Sequence, residues 1–200
     1  MFLYGASGHG KVVLEIAESI GVSIEAFIDD NRNLFELLGL PVIHDIPERN
    51  CDMVISIGNN YIRKMLAQKV YTNHFPILQH SKSNISKRAI INDGTVVMAG
   101  VTINANCVIG KHVIINTNAS IDHDCCIEDF VHVSPNAALS GGVVVGEGTH
   151  IGTGASIIPN KKIGKWVTIG AGSVIINDVP DFSVVVGNPG RVIKLKTGFE

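Results

Sequence analysis

The chain has 200 residues, enough for one large domain or two small ones, and its 16 Lys+Arg nearly balance its 18 Asp+Glu. That near-neutrality offers no basic surface for a nucleic acid. A hydrophobic share of 46% against 17% charged residues excludes disorder, while 6% aromatics and 21 glycines point to packing through small and β-branched side chains.

Met1–Tyr4 reads as a short apolar strand. With no basic segment ahead of it and a glycine at position 5, this start lacks the form of a signal peptide. The turn Gly5-Ala6-Ser7-Gly8-His9-Gly10 follows, and Lys11–Ile20 then has helical spacing, with Val12, Val13, Ile16, Ala17 and Ile20 on one face. A second strand over Ile24–Ile28 ends at Asp29-Asp30. A third over Met53–Ile57 ends at Gly58-Asn59-Asn60, ahead of a helical stretch to Val70. Strands alternating with helices predict a small open α/β sheet, and glycine turns and acids at strand C-termini are where such sheets hold nucleotides. The turn is G-x-x-G-x-G, not the dinucleotide G-x-G-x-x-G. It suits a diphosphate held by backbone N–H groups at a helix N-terminus, and it equally suits a plain tight turn. Asp29 and Asp30 could likewise serve only to cap a loop. About three strands make a mononucleotide group a better fit than a dinucleotide.

From Ile85 a different rule takes over. Steps of six visit Ile85, Ile91, Val97, Ile103, Ile109, Ile115, Ile121, Ile127, Val133, Leu139, Val145, Ile151, Ile157, Ile163, Ile169 and Ile175, without one insertion. Four residues after each stop lies a second small or β-branched residue, with Lys161 the sole exception. A period of six fits neither a helix nor a long alternating strand. It fits short strands joined by turns, and glycines and asparagines that tolerate left-handed backbone crowd the positions between. The prediction is a parallel β-solenoid. If three hexads close one coil, residues eighteen apart stack about 4.8 Å above each other. Cys107 then lies beneath Cys125 inside the coil, and His132 beneath His150 on an edge.

Cys51, Cys107, Cys125 and Cys126 form no C-x-x-C pair and suit reduced thiols in a cytoplasmic protein. The longest uncharged stretch, Gly94 to Gly110, is broken by Asn104, Asn106 and its glycines, and makes a poor membrane span.

Tyr4-Gly5-Ala6-Ser7-Gly8-His9-Gly10, Phe27-Ile28-Asp29-Asp30, Ile57-Gly58-Asn59-Asn60, Arg63-Lys64, the hexads and Val186-Gly187-Asn188-Pro189 occur in this order. Together they resemble the hexapeptide-repeat sugar acetyltransferases of the bacterial PglD/NeuD type, over nearly the whole chain. The resemblance implies a Rossmann-like α/β domain over residues 1–78 and a left-handed parallel β-helix over 79–200. It also implies a homotrimer with active sites between subunits. Acetyl-CoA would lie in the groove between neighbouring β-helices, contacting His132, Gly141, Ile151, Lys161, Lys162, Gly170, Asn188 and Pro189. The nucleotide sugar would sit on the first domain at Gly8, His9, Gly10, Asp29, Asp30, Gly58, Asn59 and Asn60. The family's base lies in a His-acid-Cys stretch, here His123-Asp124-Cys125. The segment from Ile57 to Lys64 and the nearby acids look closer to the UDP-amino-sugar branch than to the sialic acid O-acetyltransferases.

The chemistry asks for the same residue. An amine attacking a thioester must shed a proton, which a neutral imidazole accepts. A carboxylate on the far ring nitrogen fixes the tautomer, and either Asp124, the family's choice, or Asp122 could supply it. Gly141 matches a glycine whose N–H would meet the thioester carbonyl. The basic C-terminal stretch, with Lys161, Lys162, Lys165, Arg191, Lys194 and Lys196, suits the phosphates of coenzyme A. Two rivals are a carbonic anhydrase on the same solenoid, holding zinc with His123, His132 and His150 drawn from two subunits, and a non-catalytic nucleotide-binding scaffold. No metal is expected for the acetyl transfer itself.

Overall fold

The computed structural model describes residues 1–48, 51–70 and 74–198. Its N-terminal part is a five-stranded sheet flanked by two helices, built from β1 (Phe2–Tyr4), α1 (Gly8–Ser19), β2 (Ala26–Ile28), β3 (Glu36–Leu37), β4 (Leu40–Ile43), β5 (Met53–Ile55) and α2 (Asn60–Lys69). The strand order is β3-β4-β2-β1-β5, parallel except for the β3–β4 hairpin. Tyr4 pairs with both Ile28 and Ile55, so three loops leave the C-terminal edge of the sheet side by side: the glycine turn, Asp29-Asp30, and the segment after Ile55.

Two details differ from the sequence expectation. The sheet has five strands, because the Leu38-Gly39 turn, with both residues at positive φ, folds a short apolar segment back as a hairpin. The first helix begins at Gly8, not Lys11, so Gly8, His9 and Gly10 form its opening turn. At Gly10 a Cβ would overlap the Gly5 carbonyl, which explains how the helix starts so close to β1.

The second part is a left-handed parallel β-helix. It starts with β6 (Leu78–Gln79), and sixteen two-residue strands, β7 to β22, run from Asn84–Ile85 to Val174–Ile175 at six-residue intervals. Each hexad stop is the second residue of one of these strands, and from Val97 onward every stop is buried. Pairing always joins residues eighteen apart, so three faces form. The first face carries Asn84, Thr102, Ser120, Ala138, Ser156 and Val174, and the second Ile90, Val108, Cys126, Val144 and Lys162. The third carries Val96, Ile114, His132, His150 and Thr168, and is extended by β23 (Ser183–Val186) and the antiparallel β24 (Arg191–Leu195). Cys107 and Cys125 stack in the interior, donating to the carbonyls of Asp122 and Ser140. Lys161, the exception in the inward pattern, is only half-buried.

The two parts share a core. Leu3, Val13, Ile16, Ala17 and Phe27 join Leu78, Val96 and Val97 in one buried cluster, so the sheet and α1 are packed onto the lower third face. The corner between the second and third faces is also covered. Asn60 donates to the carbonyls of Gly148 (3.0 Å) and Thr149 (3.3 Å), and Lys64 pairs with Glu147 and lies over the Trp166 ring.

Candidate active site

His123 stands on the corner between the first and second faces, in the turn from Ile121 to Cys126. Its Nδ1 lies 2.7 Å from Asp124 Oδ2, while Asp122 Oδ1 accepts the His123 backbone N–H at 2.8 Å. Of the two acids left open by the sequence, Asp124 thus bonds the ring and Asp122 the backbone. Asp124 can reach back to the adjacent ring because its φ is +61°, the left-handed corner conformation. Each carboxylate is held from the coil below, Asp122 by Asn104 Nδ2 (2.9 Å) and Asp124 by Asn106 Nδ2 (3.2 Å). The hydrogen bond from Asp124, then the charge of Asp122, raise the His123 pKa above the usual imidazole value. The ring and the Asp124 side chain are both more than half exposed, so the dyad is open to solvent in this chain.

Directly above it, Gly141 leaves room for the ring, since a Cβ there would stand 2.6 Å from His123 Cε1. Lys161 lies on the same corner one coil higher, and Lys162 opens the adjoining second-face strand. A cavity of about 340 Å³ opens further up, between Ile176, Asp178, Arg191 and Val192. Asn188 and Pro189 cross the coil's end nearby, where Gly187 and Gly190 bond to Val174.

The remaining predicted residues fall on another side. His132 and His150 stack on the third face with ring centroids 4.9 Å apart, as the eighteen-residue register requires. His132 Nε2 meets Asn116 Nδ2 (3.1 Å), the ring also bonds to the Gly58 backbone, and burial pushes its pKa down to about 2. His150 Nε2 meets Ser134 Oγ at 2.7 Å. His9, from the glycine turn, reaches within 6.3 Å of His132, and burial brings its pKa down to about 4. His123 stands on the opposite corner of this chain, apart from the stacked His132 and His150. Among the described residues no group of three or more His, Cys, Asp or Glu side chains could hold a metal ion. Gly170 lies at the end of a third-face strand, packed on β23.

Ile151 requires a correction. Its side chain is fully enclosed in the coil interior, because it is a hexad stop, and it cannot touch a cosubstrate.

On the first domain, the helix now starting at Gly8 directs the backbone N–H groups of Gly8, His9 and Gly10 out of its N-terminus, unpaired within the helix. A Cβ at Gly8 would meet nothing within 4 Å, so protein packing does not require that glycine. Asp29 accepts from the Ala6 N–H (2.8 Å) and the Asn31 N–H (2.9 Å), tying the glycine turn to β2. Asp30 accepts from the Tyr4 hydroxyl (3.0 Å), and burial followed by this bond raises the tyrosine pKa to about 12. Asn59 caps α2 by accepting from the Ile62 N–H, and Asn60 is spent on docking the domains. These two side chains are therefore engaged within the protein. Sequence reasoning missed Asn104 and Asn106 as supports for the acids, although the eighteen-residue step places them beneath Asp122 and Asp124. It also missed Arg63 as a structural centre, for which no periodic signal exists.

Residues 1–70 match the PglD N-terminal domain family. The fold matches a variant of perosamine N-acetyltransferase from Caulobacter crescentus, solved with CoA and GDP-perosamine, at 33% identity over 96% of both chains with a TM-score of 0.93. The chain belongs to the PglD-type sugar N-acetyltransferases. The acetyltransferase domain of PglB from Neisseria gonorrhoeae, also solved with acetyl coenzyme A, is 38% identical over 96% of this chain and 98% of that one, with a TM-score of 0.90. A curated relative, UDP-N-acetylbacillosamine N-acetyltransferase of Bacillus subtilis, is 42% identical over 108 residues, a match spanning 48% of this chain and about half of that protein (50%). In this PglD-type chain the glycine turn, the third-face histidines and the His123 dyad are all present, but they occupy two separate surfaces of one molecule.

Proposed function

We propose that this protein transfers the acetyl group of acetyl-CoA to the amine of a nucleotide-linked amino sugar, with UDP-4-amino-4,6-dideoxy-N-acetyl-glucosamine as the acceptor. The observation that carries the reading is the His123–Asp124 pair at 2.7 Å, exposed on a coil corner beside a glycine that makes room for the ring. With Nδ1 occupied by Asp124, Nε2 is the nitrogen that takes a proton. The sugar amine attacks the thioester carbonyl, a C–N bond forms, and Nε2 accepts the ammonium proton. The tetrahedral intermediate, its oxyanion met by the Gly141 N–H, then expels the coenzyme A thiolate, which recovers the proton from the imidazolium. No acyl-enzyme is involved.

The separation of the two surfaces supports the homotrimer. The nucleotide sugar, with its diphosphate at Gly8, His9 and Gly10, sits above the third face, where His123 of the same chain cannot reach. In a ring of three, the His123 corner of one protomer meets the third face of the next. Acetyl-CoA then lies in the groove between them, with Gly141, Lys161 and Lys162 on one wall and His132 and Gly170 on the other. From His123 to Asn177 is three coils, about 14 Å at the parallel-strand spacing. That distance lets the thioester sit at the base while the phosphates reach the level of Arg191 and Pro189. The perosamine and bacillosamine relatives act on nucleotide-linked amino sugars, which favours N-acetylation of such a sugar, in the cytoplasm where nucleotide sugars are made, over O-acetylation of sialic acid.

Thiol release from acetyl-CoA tests the reading, with UDP-4-amino-4,6-dideoxy-GlcNAc, its galacto epimer, GDP- and dTDP-linked amino sugars, and free sialic acid as acceptors. Turnover confined to the first compound is expected. Turnover with sialic acid alone overturns the proposal.

A further inference from the structure

Arg63, at the end of the first turn of α2, is only 1% exposed. None of its hydrogen-bond partners is a carboxylate. Nε donates to the His112 carbonyl (2.8 Å), Nη1 to those of Ile57 (2.9 Å) and Gly58 (3.2 Å), and Nη2 to Asn60 Oδ1 (2.9 Å) and the Phe130 carbonyl (2.8 Å). These contacts use all five N–H groups of a guanidinium. Burying a cation without a counter-ion is costly, and here only oriented carbonyl dipoles offset it. Burial accordingly lowers the Arg63 pKa to about 9.

The carbonyls come from two places. His112 and Phe130 lie on adjacent coils of the corner between the second and third faces, while Ile57 and Gly58 belong to the loop leaving β5 at the ligand edge of the sheet. A trans peptide points its C=O and N–H in opposite directions. Turning the Ile57 and Gly58 carbonyls onto Arg63 therefore turns the N–H groups of Gly58 and Asn59 away from it.

We infer that Arg63 is a positioning residue for the nucleotide sugar: by holding the Ile57–Gly58 carbonyls against the His112 and Phe130 carbonyls, it fixes the loop whose opposite side presents N–H groups to that ligand. The inference rests on the proposed acetyl transfer for its substrate, and it deepens that reading by naming what sets the loop relative to the coil. A lysine cannot replace this cage, because three donors on one ammonium do not reach acceptors spread all around a planar fork of five N–H groups.

The test compares Arg63→Lys with the parent protein in steady-state kinetics, varying the nucleotide amino sugar and acetyl-CoA separately. The expected result is a rise of tenfold or more in the KM for the sugar, with the KM for acetyl-CoA within twofold. An unchanged sugar KM overturns the inference, and so does an equal rise in both, which marks a merely structural residue. Should Arg63→Lys fail to fold, Asn60→Ala removes one acceptor of the cage and is judged by the same outcomes, with a sugar effect of at least threefold. If the parent protein turns over no nucleotide amino sugar, the functional reading fails by itself. Calorimetric titration with UDP then still decides the inference: weaker binding in the variant supports it, and equal binding overturns it.

Discussion

The imidazole of His123 lies against Gly141, eighteen residues on and one coil higher, so closely that an added Cβ would stand 2.6 Å from Cε1 and 2.7 Å from Nε2. The backbone of Gly141 does not need glycine, since its φ is not in the left-handed region. What needs glycine is the ring. Gly141→Ala should therefore push an exposed side chain outward without disturbing the coil. Activity is expected to fall by about 10²-fold, the usual cost of a misplaced catalytic group. Stability should change by no more than about 0.5 kcal/mol. Parallel measurement of kcat and of the urea midpoint checks both halves.

Asp124→Asn separates the orientation of His123 from its basicity. The parent imidazole has a raised pKa, chiefly through the bond from Asp124. Only its neutral form can act as a base, so activity should fall as the pH drops through that raised value. Replacing the carboxylate lowers the pKa, and the acidic limb of kcat/KM should shift to lower pH. The plateau should nevertheless fall, on the order of 10²-fold or more, because the imidazolium formed during reaction loses its partner. A pH–rate profile in which the limb does not move would remove Asp124 from its role.

The solenoid was legible because its period is enforced at every step. Each coil must offer a branched residue inward, so an interruption at any of the hexad stops would have been visible. The same arithmetic foretold the stacking of Cys107 on Cys125 and of His132 on His150. It could not reveal which face the first domain covers, since that depends on contacts such as Arg63 to the Phe130 carbonyl, whose acceptors are backbone atoms present at every position. The β3–β4 hairpin was illegible for a related reason. Two paired residues on each side leave too short a pattern for alternation to register. At the site, His123 and its acids stood out as a local cluster, whereas the inward direction of Ile151 followed from its hexad position and should have excluded it.

The interface between the two parts should make the fold acid-sensitive. His9, His112 and His132 are held neutral mainly by burial, with pKa values lowered to about 4, 4 and 2, and Arg63 disfavours a second charge beside each. In the unfolded chain each binds a proton below about pH 6.5. Between pH 6.5 and 4 the unfolded state therefore holds more protons, and stability falls as pH falls. The slope is about 1.4 kcal/mol per pH unit for each histidine fully in that window. Urea unfolding at pH 7.5 and pH 5 should show a lower midpoint at pH 5, and His9→Gln should reduce the difference. A midpoint independent of pH would mean that these rings are solvated.

The active site proposed between protomers makes a sharper prediction than loss of activity in single variants. Gly8→Asp places a carboxylate where the helix N-terminus would receive a diphosphate, and the space around that position lets the chain fold normally. His123→Ala removes the base. Each variant alone should be inactive. In trimers assembled from an equal mixture, a site works when the protomer supplying the glycine turn carries only His123→Ala and its neighbour carries only Gly8→Asp. Random assembly around a closed ring makes about a quarter of the sites competent. Refolding the two together should restore about that fraction of the parent activity. If the mixture stays as inactive as its parts, His123 and the glycine turn serve the same site from one chain.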